Sequence, residues 1–450
     1  MRKFLSMIAC AVFSFCMTAC SDDEEGIRIY EVAVQLMYPS DSELSAIEGI
    51  EVKMTNEDGT AITAQTDATG NALFELTEGI YQVTATDRRA LEGYTYTFNG
   101  QQSNIVVAGN TYVEGMTVNL SLVAAKAGQI ILKEVYVGGC PKDDGSGNYQ
   151  FDKYVVIYNN SEVEANIKNF CISNAGPYNA NAGINNYVDG KLVYDNEDYT
   201  PAHAYLFYMQ HNLVLAPYTS ATIVLCGAIN HTNTYTNSVD LSHADYVCYD
   251  EEDFWNTNYH PSPSADIPTS NYLLASKYCL ANQNATAWSM VGPALFIFST
   301  GDNDPNEWAQ NTGNRYYMPG KENNAVYAGA KIPNEWILDA IDIWGADYVD
   351  TSLPRFTASL EAGRAIMTNK QGYSIYRNVD KEATEALAEN EGKLVYGYSL
   401  GTTDYQGAAS TDPSGIDAEA SIKNGARIVY QDTNNSTNDF HQRAKASLKN

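Results

Sequence analysis

The sequence predicts a mainly β protein, with an N-terminal β-sandwich followed by a larger β domain that has long loops and few short helices. Three observations carry this. Apolar and polar residues alternate with period two along several stretches, the signature of half-buried strands. Asn, Asp and Gly close those stretches in turn-forming combinations. Tyrosine, which suits half-buried strands, occurs 33 times against 13 Phe and 5 Trp. At 450 residues the chain is long enough for two or three domains, and its 44% apolar content excludes general disorder.

Residues 1–19 have the makings of a secretory signal peptide. Arg2 and Lys3 form a basic start, Phe4 to Phe15 an apolar run, and Met17-Thr18-Ala19 lead into Cys20. The run is too short to span a bilayer. Its end resembles the lipobox of bacterial lipoproteins, which implies that Cys20 carries lipid and anchors the protein without threading it through the membrane. Residues 20–26 are then an acidic tether. Ser21, Asp22, Asp23, Glu24 and Glu25 resemble the export signal of Bacteroidota surface lipoproteins, which implies exposure on the outer leaflet of the outer membrane. A solvated spacer is the plainer reading of such a charge run.

Residues 27–124 form the first expected domain. Tyr30, Val32, Val34, Leu36 and Tyr38 interleave with Ile29, Glu31, Ala33, Gln35 and Met37. Gly49–Met54 leads to Asn56-Glu57-Asp58-Gly59, a hairpin signal. Thr66-Asp67 through Gly70 to Phe74 and Leu76 reads as a turn and strand, with Gly70 suited to positive φ. Gly79, Tyr81 and Val83 mark another strand. In this order and spacing these parts resemble the carboxypeptidase-regulatory-like, transthyretin-like β-sandwich family, whose members imply a spacer or docking module. Ala124–Gly128 is the expected joint.

Residues 129–450 form the larger β domain. Within 129–230, strands are expected at Gln129–Gly139, Phe151–Ser161, Glu162–Ile172 and on both sides of Pro217. The Asp152–Ser161 block and the later Leu215–Leu225 block resemble the lamin-tail type of immunoglobulin-like sandwich, from which residues 174–205 depart as a long Asn-, Tyr- and Gly-rich insertion. Residues 231–345 read as an irregular, aromatic, loop-rich part. Residues 346–450 read as a C-terminal β extension, with strands at Arg364–Met367 and Lys393–Tyr396 and one helix at Lys381–Glu389. End to end, the chain resembles a Bacteroidota outer-membrane lipoprotein family of unassigned function.

Charge narrows the partners. The formal charge is −28, and −30 from Cys20 onward, since residues 1–19 remove Arg2 and Lys3 and no acid. Nucleic acid is excluded as a partner, because phosphate contacts need Lys and Arg. Beyond Cys20 the cysteines are Cys140, Cys171, Cys226, Cys248 and Cys279, an odd set. One or two disulfides plus a buried free thiol are expected, with the pairing open. No CxxC spacing suggests zinc or redox chemistry.

Candidate chemistry is sparse. There is no GxSxG or SxxK nucleophile motif, so catalysis is not the expected activity. His231 and His243 lie near Asp240, Asp245 and the acids at 250–253, a conceivable metal set, though histidines so scattered are more commonly surface or hydrogen-bonded groups. No cofactor is expected, Ca2+ being the one candidate ion. Asp302, Asp304 and Asn306 have the oxygen density for it but lack the EF-hand glycine and terminal acid; an Asx-rich turn is the alternative. The aromatic loops offer a ligand site through Trp255, Tyr259, His260, Tyr178 and Tyr187, where rings could stack on a sugar, a peptide side chain or a planar metallophore.

The expected function is therefore a surface lipoprotein assisting a nutrient-uptake transporter, of the TonB-dependent kind, by holding a small-molecule, glycan or peptide ligand or by docking. A structural or adhesion lipoprotein is the first alternative. A secreted hydrolase is the second.

Overall fold

The computed structural model describes residues 28–449, apart from 41, 43, 45–46, 92–93, 110–116, 279–283, 287, 323 and 406–407. Cys20, the Ser21–Glu25 segment and Cys279 lie outside the described residues. The chain is mainly β, with 41% of the described residues in strand against 12% in helix. Among the described residues no helix is long and apolar enough to cross a membrane.

Two compact units divide the chain. The first comprises residues up to 37 with 45–85 and 101–121; the second comprises 38–44, 86–100 and 122–450. In the first unit, Tyr30–Met37 pairs antiparallel with Asn71–Leu76 and parallel with Thr117–Ser121. Glu51–Asn56 pairs with Ala61–Gln65 and with residues 81–85. Alternation decides which side is buried: Val32, Val34, Phe74, Leu76, Val52, Met54 and Val83 are all inside. Gly70 has φ +79°, and Asp67 Oδ1 accepts from the N–H groups of Thr69 and Asn71, which closes the turn before Asn71–Leu76.

The second unit is built on one long curled sheet. Its strands run in the order Ala365–Met367, Ile337–Gly345, Ala294–Ser299, Phe170–Ala175, Tyr199–Tyr208, Tyr272–Lys277, Tyr246–Cys248, Ser220–Cys226, Lys153–Asn159, Ile130–Tyr136, Ser374–Arg377 and Phe440–Arg443. A branch, Ala328–Pro333 with Arg315–Tyr317, pairs on the first half of Tyr199–Tyr208. The sheet curls so that its two arms share one core, in which Leu132, Val155, Ile157, Ile172, Phe207, Ile223, Ile297 and Ile341 meet. Further apolar clusters cover the outer face. Strands buried on both faces read as continuous apolar runs instead of alternating ones.

That double burial explains several departures from expectation. The 174–205 segment is not all insertion: Tyr199–Tyr208 is a central strand with eight consecutive buried residues. The loop-rich 231–345 part carries the core strands Ala294–Ser299 and Ile337–Gly345. The Glu162–Ile172 strand is two strands, Ala165–Ile167 and Phe170–Ala175, separated by a turn in which Asn169 has φ +48°. Lys393–Tyr396 is not a strand; only an isolated bridge from Tyr396 to Ile416 occurs there. The helix spans Lys381–Glu385, capped by Asp380, and a 3-10 turn at Ala388–Asn390 follows. Cys140, Cys171, Cys226 and Cys248 are free, buried thiols, so the expected bridges are absent among the described cysteines.

Candidate functional site

A β-bulge starts the site. Lys153 opens the strand Lys153–Asn159, and the register against Ser220–Cys226 slips between Lys153 and Tyr154. Bulges re-aim side chains at functional positions. Asp152 and Lys153 are both buried, on opposite sides of the strand. Asp152 accepts from Ser238 Oγ at 2.6 Å and Tyr136 Oη at 3.1 Å. Lys153 Nζ donates to the carbonyl of Trp288. Burial pushes its amine below the ordinary lysine pKa. The residue opposite it, Cys226, donates its thiol to the Tyr259 carbonyl at 2.8 Å. Burial pushes that thiol up to about 12, so it stays protonated. Gly227 follows with φ +74°; a Cβ there would collide with the Phe151 carbonyl and the His231 ring.

Beside Lys153 lies a cavity of about 530 Å³. Tyr178, Tyr259 and Trp288 line it, with the amides Gln150, Asn179, Asn256 and Asn284 and the hydroxyls of Thr286 and Ser289. Each wall is held from behind. The Asn256 N–H donates to the Asn284 carbonyl at 2.9 Å. The Thr286 N–H donates to His260 Nε2 at 3.1 Å. Burial pushes His260 down to about 4, so it is neutral and able to accept that bond. Ser289 Oγ donates to Asn179 Oδ1. Trp288 packs against Tyr205 and Phe207, with ring centroids 5.4 and 6.1 Å away. Its indole N–H is buried and has no hydrogen-bond partner among the described residues.

The Tyr178 wall hangs on Arg355. Its guanidinium donates to the carbonyls of Pro177, Tyr178 and Gly292 at 3.2, 3.3 and 2.8 Å, and to Asp342 Oδ1 at 2.6 Å. One planar cation thus ties two chain segments, at Pro177–Tyr178 and at Gly292, to the strand Ile337–Gly345. On the far side of Tyr178 and Asn179 a second cavity, about 470 Å³, is lined by Pro177, Ile184, His203, Met318 and Tyr327. The His203 ring stands edge-on to Tyr178 at 4.6 Å, and burial pushes its pKa down to about 4.

The structure therefore brings Tyr178 and Tyr259 together, with His260 directly behind the wall. Tyr187 is apart: its hydroxyl donates to the Pro354 carbonyl at 3.1 Å. Trp255 is 55% exposed and does not line the cavity; Lys277 Nζ lies 5.5 Å from its ring centroid. Asp302, Asp304 and Asn306 are engaged separately. Asp302 pairs with Lys168 at 2.6 Å, Asp304 caps the helix Pro305–Gln310, and Asn306 Oδ1 accepts from Ser276 Oγ at 2.8 Å. His231 bonds Tyr149 Oη and the Gly227 carbonyl, and His243 pairs with Asp266 at 3.1 Å. Among the described residues no three His, Cys, Asp or Glu are grouped to hold a metal ion.

Lys153 and Trp288 are the residues that sequence reasoning missed as site residues. The available signal was a lysine inside an apolar strand block. A larger cavity, about 560 Å³, is lined by Asn378, Phe440, His441, Gln442 and other residues of the C-terminal part. Several of its polar side chains are already engaged: His441 bonds Asn378 and Tyr398, and Gln442 bonds Thr402. The smaller cavity, with its aromatic faces and amine, is the stronger candidate for a binding site.

Residues 216–397 match a family described as a protein of unknown function, DUF4876. That stretch includes Asn256, Tyr259 and Trp288. No curated protein matches the chain. Among solved structures, a DUF4876 family protein from Bacteroides thetaiotaomicron is 21% identical, over 91% of this chain and 94% of that one, with a TM-score of 0.49. A DUF3823 family protein from Parabacteroides merdae is 10% identical over 33% and 67% of the two chains, with a TM-score of 0.16. The Bacillus anthracis TIE protein is 15% identical over 42% and 31%, also with a TM-score of 0.16.

Proposed function

We propose that this protein is a lipid-anchored lipoprotein of the outer-membrane surface that captures a nutrient ligand for an uptake transporter of the TonB-dependent kind. The observation that carries the binding part is the 530 Å³ cavity in which Tyr178, Tyr259 and Trp288 face four amides and the Lys153 amine. Among the described residues its lining holds no carboxylate, histidine or cysteine. It holds what recognition needs: aromatic area, hydrogen-bonding groups and one charge. The location rests on the signal-peptide pattern, on Cys20 and on the acidic Ser21–Glu25 tether.

Purification of the native lipoprotein from its own outer membrane in mild detergent, with mass spectrometry of what accompanies it, tests the partnership. A stoichiometric β-barrel transporter is the expected companion. Recovery of the lipoprotein alone, from cells where protease shaving shows it exposed, would favour an adhesin. Cys20→Ser should move the protein from the membrane to the soluble fraction.

A further inference from the structure

The cavity beside Lys153 is an electrostatic exception. The chain has 55 acidic residues against 27 basic ones, yet among the described residues the cavity wall contains one lysine and no Asp or Glu. A chain of this charge repels anions at long range, so an anion binds only where a local positive group outweighs that field. An ammonium carries three N–H donors. Among the described residues Lys153 uses one of them, on the Trp288 carbonyl, and forms no ion pair. The carboxylate of the preceding residue, Asp152, attracts the amine without pairing with it and instead accepts from Ser238 and Tyr136. A buried ammonium with donors to spare calls for an acceptor, and a carboxylate satisfies it best.

The rest of the wall specifies the body that carries the carboxylate. Among the described residues the Gln150 amide and the Nδ2 groups of Asn179 and Asn284 donate no hydrogen bond to the protein, while Asn179 Oδ1 accepts from Ser289 Oγ and Asn284 Oδ1 from Asn256 Nδ2 at 3.4 Å. The Trp288 indole N–H is likewise unpartnered. Neutral donors and acceptors spaced around aromatic rings suit a body bearing several hydroxyls with an apolar ring face. The volume accommodates a mono- or disaccharide.

We propose that this cavity binds an acidic saccharide, a pyranose carrying a ring carboxylate, with the carboxylate on Lys153 Nζ, the hydroxyls on Gln150, Asn179 and Asn284, and the ring face against Tyr178 or Tyr259. This rests on the ligand-capture reading above and narrows its ligand class.

The test is isothermal titration of the detergent-solubilised full-length lipoprotein with a galacturonic acid disaccharide and with the matching neutral galactose disaccharide. The acidic sugar should bind at least about tenfold tighter, the worth of one charge-assisted hydrogen bond. Lys153→Met should erase that preference while a thermal melt shows it folded. Equal binding of both sugars, or an undiminished preference in Lys153→Met, overturns the anion assignment but leaves ligand capture standing. Binding of neither sugar overturns the saccharide assignment, and transporter co-purification then judges the capture reading separately.

Discussion

Two buried cations in the second unit are treated in opposite ways. Arg377 is fully enclosed by partners. Its Nε donates to the Leu132 carbonyl at 2.8 Å, and its terminal nitrogens reach Asp339, Asp432 and Asp439 and the Gln431 carbonyl. The Phe440 ring covers one face, with Cζ 4.3 Å from its centroid. Lys153 has one carbonyl and an adjoining cavity. The first arrangement closes the curled sheet, because Asp339 lies on the arm that folds over Leu132 and also accepts from the Leu132 N–H at 2.5 Å. The second leaves hydrogen-bonding capacity unused inside the protein. A buried charge that is fully paired holds architecture together; one left under-partnered beside a void is a reservoir of binding energy.

The comparison breaks most sharply at Arg377. Arg377→Met strands three carboxylates in the core and should cost about 3–5 kcal/mol in urea unfolding, the usual penalty for breaking a buried ion pair from one side. Lys153→Met should do the reverse. It removes a desolvated ammonium with little pairing to lose, so stability should hold or rise by on the order of 1 kcal/mol, while anion affinity falls at least about tenfold. Tyr178→Ala and Tyr259→Ala should each weaken binding by about 1–2 kcal/mol in titration, through lost aromatic area.

Proton linkage sharpens the same contrast. Burial, followed by repulsion from Asp432, holds Asp339 at about 7 and Asp439 at about 6 in the folded protein. Arg377 pulls both down without overcoming burial. Both values lie above the unfolded carboxylate range, so between roughly pH 4 and 7 the folded state binds the extra protons. This cluster's contribution to stability should therefore be complete near pH 4 and fall as pH rises through 6 and 7. Glu361, raised by burial and by Asp439, belongs to the same cluster and accepts from Ser436 Oγ at 2.7 Å. Glu361→Gln fixes the neutral form, so its stability advantage over wild type should widen with rising pH, on the order of 1 kcal/mol per unit. Trp255→Ala should have the smallest effect, within about 0.5 kcal/mol on stability, with ligand affinity unchanged because this ring lies outside the cavity.

What could be read from the sequence follows the same physical division. Strands with one wet face declare themselves by alternation, and Tyr30–Met37 and Asn71–Leu76 were legible for that reason. Ala294–Ser299 and Ile337–Gly345 are covered on both faces, so no alternation marks them, and they were hidden in a stretch dominated by turn residues. The site was half legible. Aromatic density in loops pointed to Tyr178 and Tyr259, which do meet, but equally to Trp255 and Tyr187, which do not line the cavity. Whether a ring faces a void depends on contacts distant in sequence, such as those Arg355 makes with Pro177, Gly292 and Asp342. Lys153 was concealed because its meaning lies in what is missing around it, and pairing is invisible until the chain is folded.

The most direct measurement is the unfolding free energy of Lys153→Met beside Arg377→Met, from urea denaturation at one pH. Lys153→Met should be as stable as wild type or more so, with Arg377→Met destabilised by several kcal/mol. Comparable destabilisation by both substitutions would contradict it, because Lys153 would then be a structural cation like Arg377 and the cavity beside it would lose its claim to function.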